Sequence, residues 1–214
     1  YSGSYFTGDE IEILPADVSD GLEYSVSVSF GGVIVQPTGG KFKAESAGEY
    51  IISYQTTIYG EEVTRSVPIN VKELALNDWD APNYSDEVYY EDDSIEVKPL
   101  GSVADNKGNQ HNVTVNVSFQ TNAEASSEPV VWENGSFIAK AGIYTITYSV
   151  QLNGDTPSEV KTVTINVTDR ILDWKAPDYN QEVKVNTEVS LIPFTPQDNA
   201  GKDYPTEITV YLKN

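Results

Sequence analysis

His111 is the single histidine in a chain of 214 residues. Histidine is the side chain best suited to exchange a proton near neutral pH. A nucleophilic triad also needs an activated nucleophile and an orienting acid, and the chain has no cysteine. His111 stands beside Asn112 at the edge of an apolar run and is expected to be a solvated turn residue rather than a base. The 33 aspartates and glutamates could form a glycosidase-like carboxylate pair, but they recur in no short motif. They read as solvated strand faces and turns. Neither a phosphate-cradling glycine loop nor a His-Glu-x-x-His motif is present. No catalytic residue is expected.

Two features could hold a ligand. Asn77, Asp78 and Asp80 offer oxygen donors of the hard kind that calcium takes. The equivalent later stretch carries Lys175 in place of Asp80, and no Asp-x-Asp-x-Asp-Gly loop occurs. These three are candidate calcium ligands in a chain for which no cofactor is expected. Trp132, in Pro129-Val130-Val131-Trp132-Glu133-Asn134-Gly135, stands alone near a loop. Its flat apolar face and polar edge suit stacking on a sugar ring, whereas the blander alternative is the cap of a sheet edge.

Charge narrows the partners. With 13 basic against 33 acidic side chains, the net charge is −20 and the pI about 4.1. Such a chain has no basic stripe to displace counterions from nucleic-acid phosphates, and an anionic membrane surface repels it. The hydrophobic content of 39% is too high for a disordered chain. No apolar run approaches the roughly 18 residues of a membrane span. Without cysteine there is neither a disulfide framework nor a thiolate metal site.

The elements that would position these residues are repeated. Asp78-Trp79-Asp80-Ala81-Pro82-Asn83-Tyr84 returns as Asp173-Trp174-Lys175-Ala176-Pro177-Asp178-Tyr179. Phe42 followed by Gly48-Glu49-Tyr50-Ile51-Ile52-Ser53-Tyr54 returns as Phe137 followed by Gly142-Ile143-Tyr144-Thr145-Ile146-Thr147-Tyr148. Val67-Pro68-Ile69-Asn70-Val71 returns as Val163-Thr164-Ile165-Asn166-Val167. A further block occurs three times, at Ile11–Pro15, Ile95–Pro99 and Val189–Pro193. The order is kept throughout, which divides the chain into modules 1–74, 75–170 and 171–214. The third contains no Gly-x-Tyr block, and the expectation is a window from a longer tandem array.

Within the modules, apolar and polar residues alternate with the period of two that marks half-buried strands. Tyr50, Ile52 and Tyr54 fall on one face, as do Tyr144, Ile146, Tyr148 and Val150. Val67, Ile69 and Val71 form a second run, and Val26, Val28 and Phe30 a third. No stretch has a helical period. The expected class is all-β, a series of β-sandwiches, two near-complete and one partial. Tyr50 and Tyr144, just after a glycine, are expected to bury their rings and return their hydroxyls to nearby backbone. Trp79 and Trp174 are expected to pack against the preceding module. In module three, segments 183–192 and 206–212 look like strands that would leave half a sandwich with one apolar face exposed. That face is expected to be completed by further residues or covered by a neighbouring chain.

The Asp-Trp-x-Ala-Pro opening, the turns Asp105-Asn106-Lys107-Gly108-Asn109 and Asp198-Asn199-Ala200-Gly201, and the Ala-Gly-x-Tyr-x-x-x-Tyr segments carry a resemblance. Together they resemble the tandem immunoglobulin-like domains of bacterial surface proteins and adhesins. Antibody-type domains join their sheets with a disulfide; this chain has none. The resemblance implies a non-enzymatic stalk or spacer, secreted or on the cell surface, that meets an unknown protein or glycan. The alternatives are a carbohydrate-binding surface protein and an accessory region of a larger extracellular glycoside hydrolase.

Overall fold

Alternating apolar residues become strands here because each strand can hide one edge of its pleat against a second layer. The computed structural model describes residues 1–17, 22–152, 158–179 and 182–211. The chain is all-β. Fifteen strands and no helix occur among the described residues. They are β1 (Tyr5–Phe6), β2 (Glu10–Glu12), β3 (Tyr24–Phe30), β4 (Val33–Val35), β5 (Lys41–Lys43), β6 (Gly48–Ile58), β7 (Glu61–Lys72) and β8 (Tyr89–Tyr90). There follow β9 (Ser94–Glu96), β10 (Ser102–Ala104), β11 (Gln110–Gln120), β12 (Glu128–Pro129), β13 (Ser136–Ile138), β14 (Gly142–Val150) and β15 (Glu159–Thr168).

The described residues cluster into two units, one built on Tyr1–Trp79 with Ser102–Asn112 and residues 151–152, the other on Asp80–Gly101, Val113–Val150 and the described residues from 158 on. In the first, a sheet of order β1-β7-β6-β3-β4 faces the pair β2-β5. Val28, Tyr50, Ile52, Ile69 and Val71 from the large sheet meet Ile11 and Phe42 from the small one in a single buried cluster. That makes a two-layer sandwich. The Tyr50 ring lies 4.6 Å from Phe30 and 5.4 Å from Phe42, centroid to centroid, so it bridges the layers. In the second unit β11, β14, β15 and β8 form the large sheet and β9 with β13 the small one. Tyr144 has the same place there, 4.9 Å from Phe119 and 4.8 Å from Phe137. Each such buried side chain contributes about 1.5–3 kcal/mol.

Tyrosine hydroxyls tie the layers together. The Ser46 and Lys140 amides, just beyond β5 and β13, donate to the hydroxyls of Tyr50 (3.1 Å) and Tyr144 (2.8 Å). Tyr54 and Tyr148, four residues further along the same strands, donate to the carbonyls of Leu14 (2.6 Å) and Lys98 (2.8 Å), just past β2 and β9. Burial, together with the neighbouring Tyr1 and Tyr84 hydroxyls, pushes the phenols of Tyr54 and Tyr148 above the usual tyrosine range.

Residues 171–211 differ from expectation. Segment 183–192 and the described part of 206–212 form no strand; two isolated bridges, Leu172 with Asp198 and Gln197 with Asp203, are the pairing found there. The reason is a missing neighbour. Ile11 and Ile95 have strand partners in Phe42 and Phe137, and module three has no equivalent block for Val189 to pair with.

Gly142 shows how tightly the second layer closes. Its φ is +145°, and a Cβ there would stand 2.6 Å from the Phe119 ring and 2.7 Å from the Gln120 carbonyl. Gly108 also has positive φ but faces open space. Gly142→Ala is expected to cost about 2–4 kcal/mol from backbone strain plus overpacking, and Gly108→Ala about 1 kcal/mol from strain alone. Equilibrium denaturation of the two variants checks this; equal losses would remove the close-packing argument.

Candidate functional site

The most elaborate polar construction is a turn clasp that occurs twice. In the first unit Asn106 binds the chain leaving β7. Its amide nitrogen Nδ2 donates to the Glu73 carbonyl (2.8 Å), and its Oδ1 accepts from the Ala75 amide (3.3 Å). Its backbone amide donates to the Ala75 carbonyl (2.9 Å). In the second unit Asn199 repeats all three bonds on the chain leaving β15, with Asp169 (2.9 Å), the Ile171 amide (3.0 Å) and the Ile171 carbonyl (3.0 Å). Bridges Leu76–Asp105 and Leu172–Asp198 lie beside them. An asparagine serves because it carries a donor and an acceptor on one planar group, matching one carbonyl and one amide of an extended chain.

The preceding aspartate builds the turn. Asp105 is only 1% exposed. Its Oδ1 accepts from the Lys107 and Asn109 amides, and its Oδ2 from Asn109 Nδ2 and His111 Nε2 (2.9 Å). Burial alone would raise its pKa, but these bonds, led by that from His111, more than reverse the effect and hold the carboxyl below the usual range. Asp198 is also buried. Its Oδ1 takes the Ala200 and Lys202 amides, and its Oδ2 takes Arg170 Nη1 (2.8 Å) and the Tyr204 hydroxyl (3.0 Å). Against the upward pull of burial, the Lys202 amide, Arg170 and Tyr204 bring it down to about 2.

A cation completes each clasp. Lys107 Nζ reaches Asp9 Oδ1 at 2.5 Å and lies 5.7 Å from the centre of the Phe6 ring. Arg170 Nη2 reaches Asp93 Oδ1 at 2.5 Å, and its guanidinium lies 5.8 Å from the centre of the Tyr90 ring. Asp9 and Asp93 are themselves equivalent, each accepting from the amide three residues before it, Phe6 and Tyr90. The cation therefore comes from the turn in one case and from the chain after β15 in the other, yet meets the same aspartate–aromatic pair. Bonds to Asp198 and the charge of Asp93 raise the Arg170 pKa, so it is always charged.

His111 is thus not a solvated turn residue. Its side chain is half-buried against Asp105 because β10–β11 pairing, with Val103 opposite His111, brings it over the turn. The contact uses Nε2, the nitrogen a triad histidine turns toward its nucleophile. The nearby Ser102 hydroxyl on β10 donates to Gln110. The three calcium candidates have different surroundings. Asn77 Nδ2 donates to the Asp105 carbonyl, Asp78 is exposed, and Asp80 is fully exposed with Lys161 3.8 Å away. Among the described residues no group of three or more His, Cys, Asp or Glu gathers to hold a metal.

Tyr50, Tyr144 and Trp79 are buried. Trp174 is half-exposed, and its ring lies 5.7 Å from Phe194. Trp132 lines an open groove of about 460 Å³ with Glu96, Pro99, Val115 and Asn134. The side-chain roles of the two Asp-Asn turns are not evident from the residue types alone. The available signal was their recurrence 93 residues apart with an x-Gly after each.

No family model and no curated protein matches the chain. Among solved structures it is similar to the fibronectin(III)-like modules of Clostridium thermocellum CbhA. That match has 18% identity, covers 78% of this chain and 90% of that one, and has a TM-score of 0.24. With so low a score, the fold rests on the sheets described above.

Acid should open the clasps. A carboxyl held below its unfolded value stabilises the fold above pH ~4 and loses that contribution as pH falls through the folded value. For Asp198 the window runs from about pH 4 down to about 2. The denaturation midpoint is expected to fall across this window, and more shallowly in Asp198→Asn, which shares all other acid effects. Equal slopes for the two proteins would contradict the assignment.

Proposed function

We propose that the chain is a non-enzymatic spacer, an array of immunoglobulin-like sandwiches of a secreted or cell-surface protein that presents adhesive surfaces. The observation that carries this reading is the repeated clasp. Three identical hydrogen bonds and a cation are placed where one sandwich's last strand hands the chain on, in both copies. Polar machinery is thus concentrated on holding consecutive repeats, and the one histidine is committed to the same turn. Net charge supports the reading, since −20 keeps a crowded surface soluble and resists self-association. Freedom from cysteine suits a surface protein that folds without oxidation. No helix among the described residues is long and apolar enough to cross a membrane.

A spacer must bear tension. Pulled between its ends, the 214-residue chain is expected to give two discrete unfolding events. Strands Tyr5–Lys72 and Tyr89–Thr168 would each release roughly 20–28 nm at about 3.5 Å per residue. Asn106→Ala and Asn199→Ala should each lower the force of an event without changing its length. One merged event, or extension at no measurable force, would sink the reading.

A further inference from the structure

The turns that lead into β5 and β13 share a backbone and differ in their side chains. In the first unit Thr38 and Lys41 exchange amide-to-carbonyl bonds (2.8 and 3.1 Å) around Gly39-Gly40. In the second, Glu133 and Ser136 do the same (both 3.1 Å) around Asn134-Gly135. The Ile13 amide donates to the Gly40 carbonyl and the Val97 amide to that of Gly135, each at 2.8 Å. All four central residues have positive φ, as a type I′ turn requires, and glycine or asparagine serves its first position. The first unit meets these demands with Pro37, Gly39 and Lys41, where the second has Trp132, Asn134 and Ser136. Nothing in the turn calls for the tryptophan.

The three replacements line the open groove of about 460 Å³, together with Glu96. Trp132 is half-buried and contacts no other aromatic ring. Among the described residues, Trp132 Nε1, the Glu96 carboxylate, the Asn134 amide and the Ser136 hydroxyl have no hydrogen-bond partner. The groove therefore offers one flat apolar plate with unused donors and acceptors around it. Glu96 and a net charge of −20 repel an anion. An ammonium ion prefers a cage of several aromatic walls, whereas this groove has one, and it would leave Asn134 and Ser136 unused. A pyranose engages every group: its C–H face lies on the indole, and its hydroxyls can donate to Glu96 and exchange bonds with Asn134 and Ser136.

We propose that this groove binds a neutral glycan, with one pyranose ring stacked on Trp132. The inference gives the adhesive part of the proposed function its ligand class and rests on that part alone. The two unfolding events of the spacer do not depend on it, so either can fail without the other.

The test applies the full 214-residue chain to an array of neutral oligosaccharides and titrates the best-bound glycan by NMR. Saturable binding is expected, with a shift of the Trp132 indole N–H resonance. Trp132→Pro and Asn134→Gly place in the second turn the residues that the first already carries, so both are expected to fold. Trp132→Pro should weaken binding about tenfold or more, and Asn134→Gly about threefold to tenfold. Should one variant misfold, the other and the indole shift still decide. Binding to no neutral glycan, parental affinity in the folded variants, or a shift confined to Trp79 or Trp174 would overturn the proposal. So would saturation by tetramethylammonium with no glycan bound.

Discussion

A sandwich without a disulfide must still stop its two layers from sliding, and here the buried tyrosine does so. Tyr50 and Tyr144 each rise from a large sheet, stack between two phenylalanines or near them, and take an amide from the chain just beyond the opposite layer's strand. Tyr54 and Tyr148 repeat the device along the same strands, with carbonyls as the targets. A disulfide would contribute about 2–4 kcal/mol. Two or three such hydrogen bonds at about 1 kcal/mol each, added to ring burial, reach the same order. Because a hydroxyl at the end of a rigid ring has one reach, the bonds also fix the spacing of the layers. The glycine before each tyrosine follows from this constraint: at Gly48 and Gly142 a Cβ would strike Phe30 and Phe119.

Ion pairs recur at the two Asp-Asn turns. In a chain with 13 cations against 33 acids, Lys107 and Arg170 are both committed to the acidic turns at Asp9, Asp93 and Asp198. Enclosure of Asp105 and Asp198 would be costly for bare carboxylates, and each is offset by four hydrogen-bond donors. The asparagine beside each then has a rigid base from which to hold the departing chain.

The sheets were legible because burial on one face leaves a period-two trace, and Tyr50-Ile52-Tyr54 and Tyr144-Ile146-Tyr148 carry it plainly. The clasps were not. Asn106 reads as an ordinary turn residue, and its partners at Glu73 and Ala75 lie 33 and 31 residues away, with no periodicity to connect them. His111 is illegible for the same reason: its neighbours in sequence say nothing of the buried Asp105 that pairing with β10 brings beneath it. Segments 183–192 and 206–212 have strand-like patterns, yet a pattern forms a ladder only when another strand is there to receive it. Trp174, near those segments, is half-exposed beside Phe194.

The tyrosine account is tested most directly by equilibrium unfolding of Tyr148→Phe. The variant keeps the ring and its packing and deletes only the hydroxyl shared with Tyr84 and the Lys98 carbonyl. The account predicts a folded protein whose second sandwich is less stable by about 1–2 kcal/mol. A variant as stable as the parent, or more so, would show that ring burial alone holds the layers and that the hydroxyls do not.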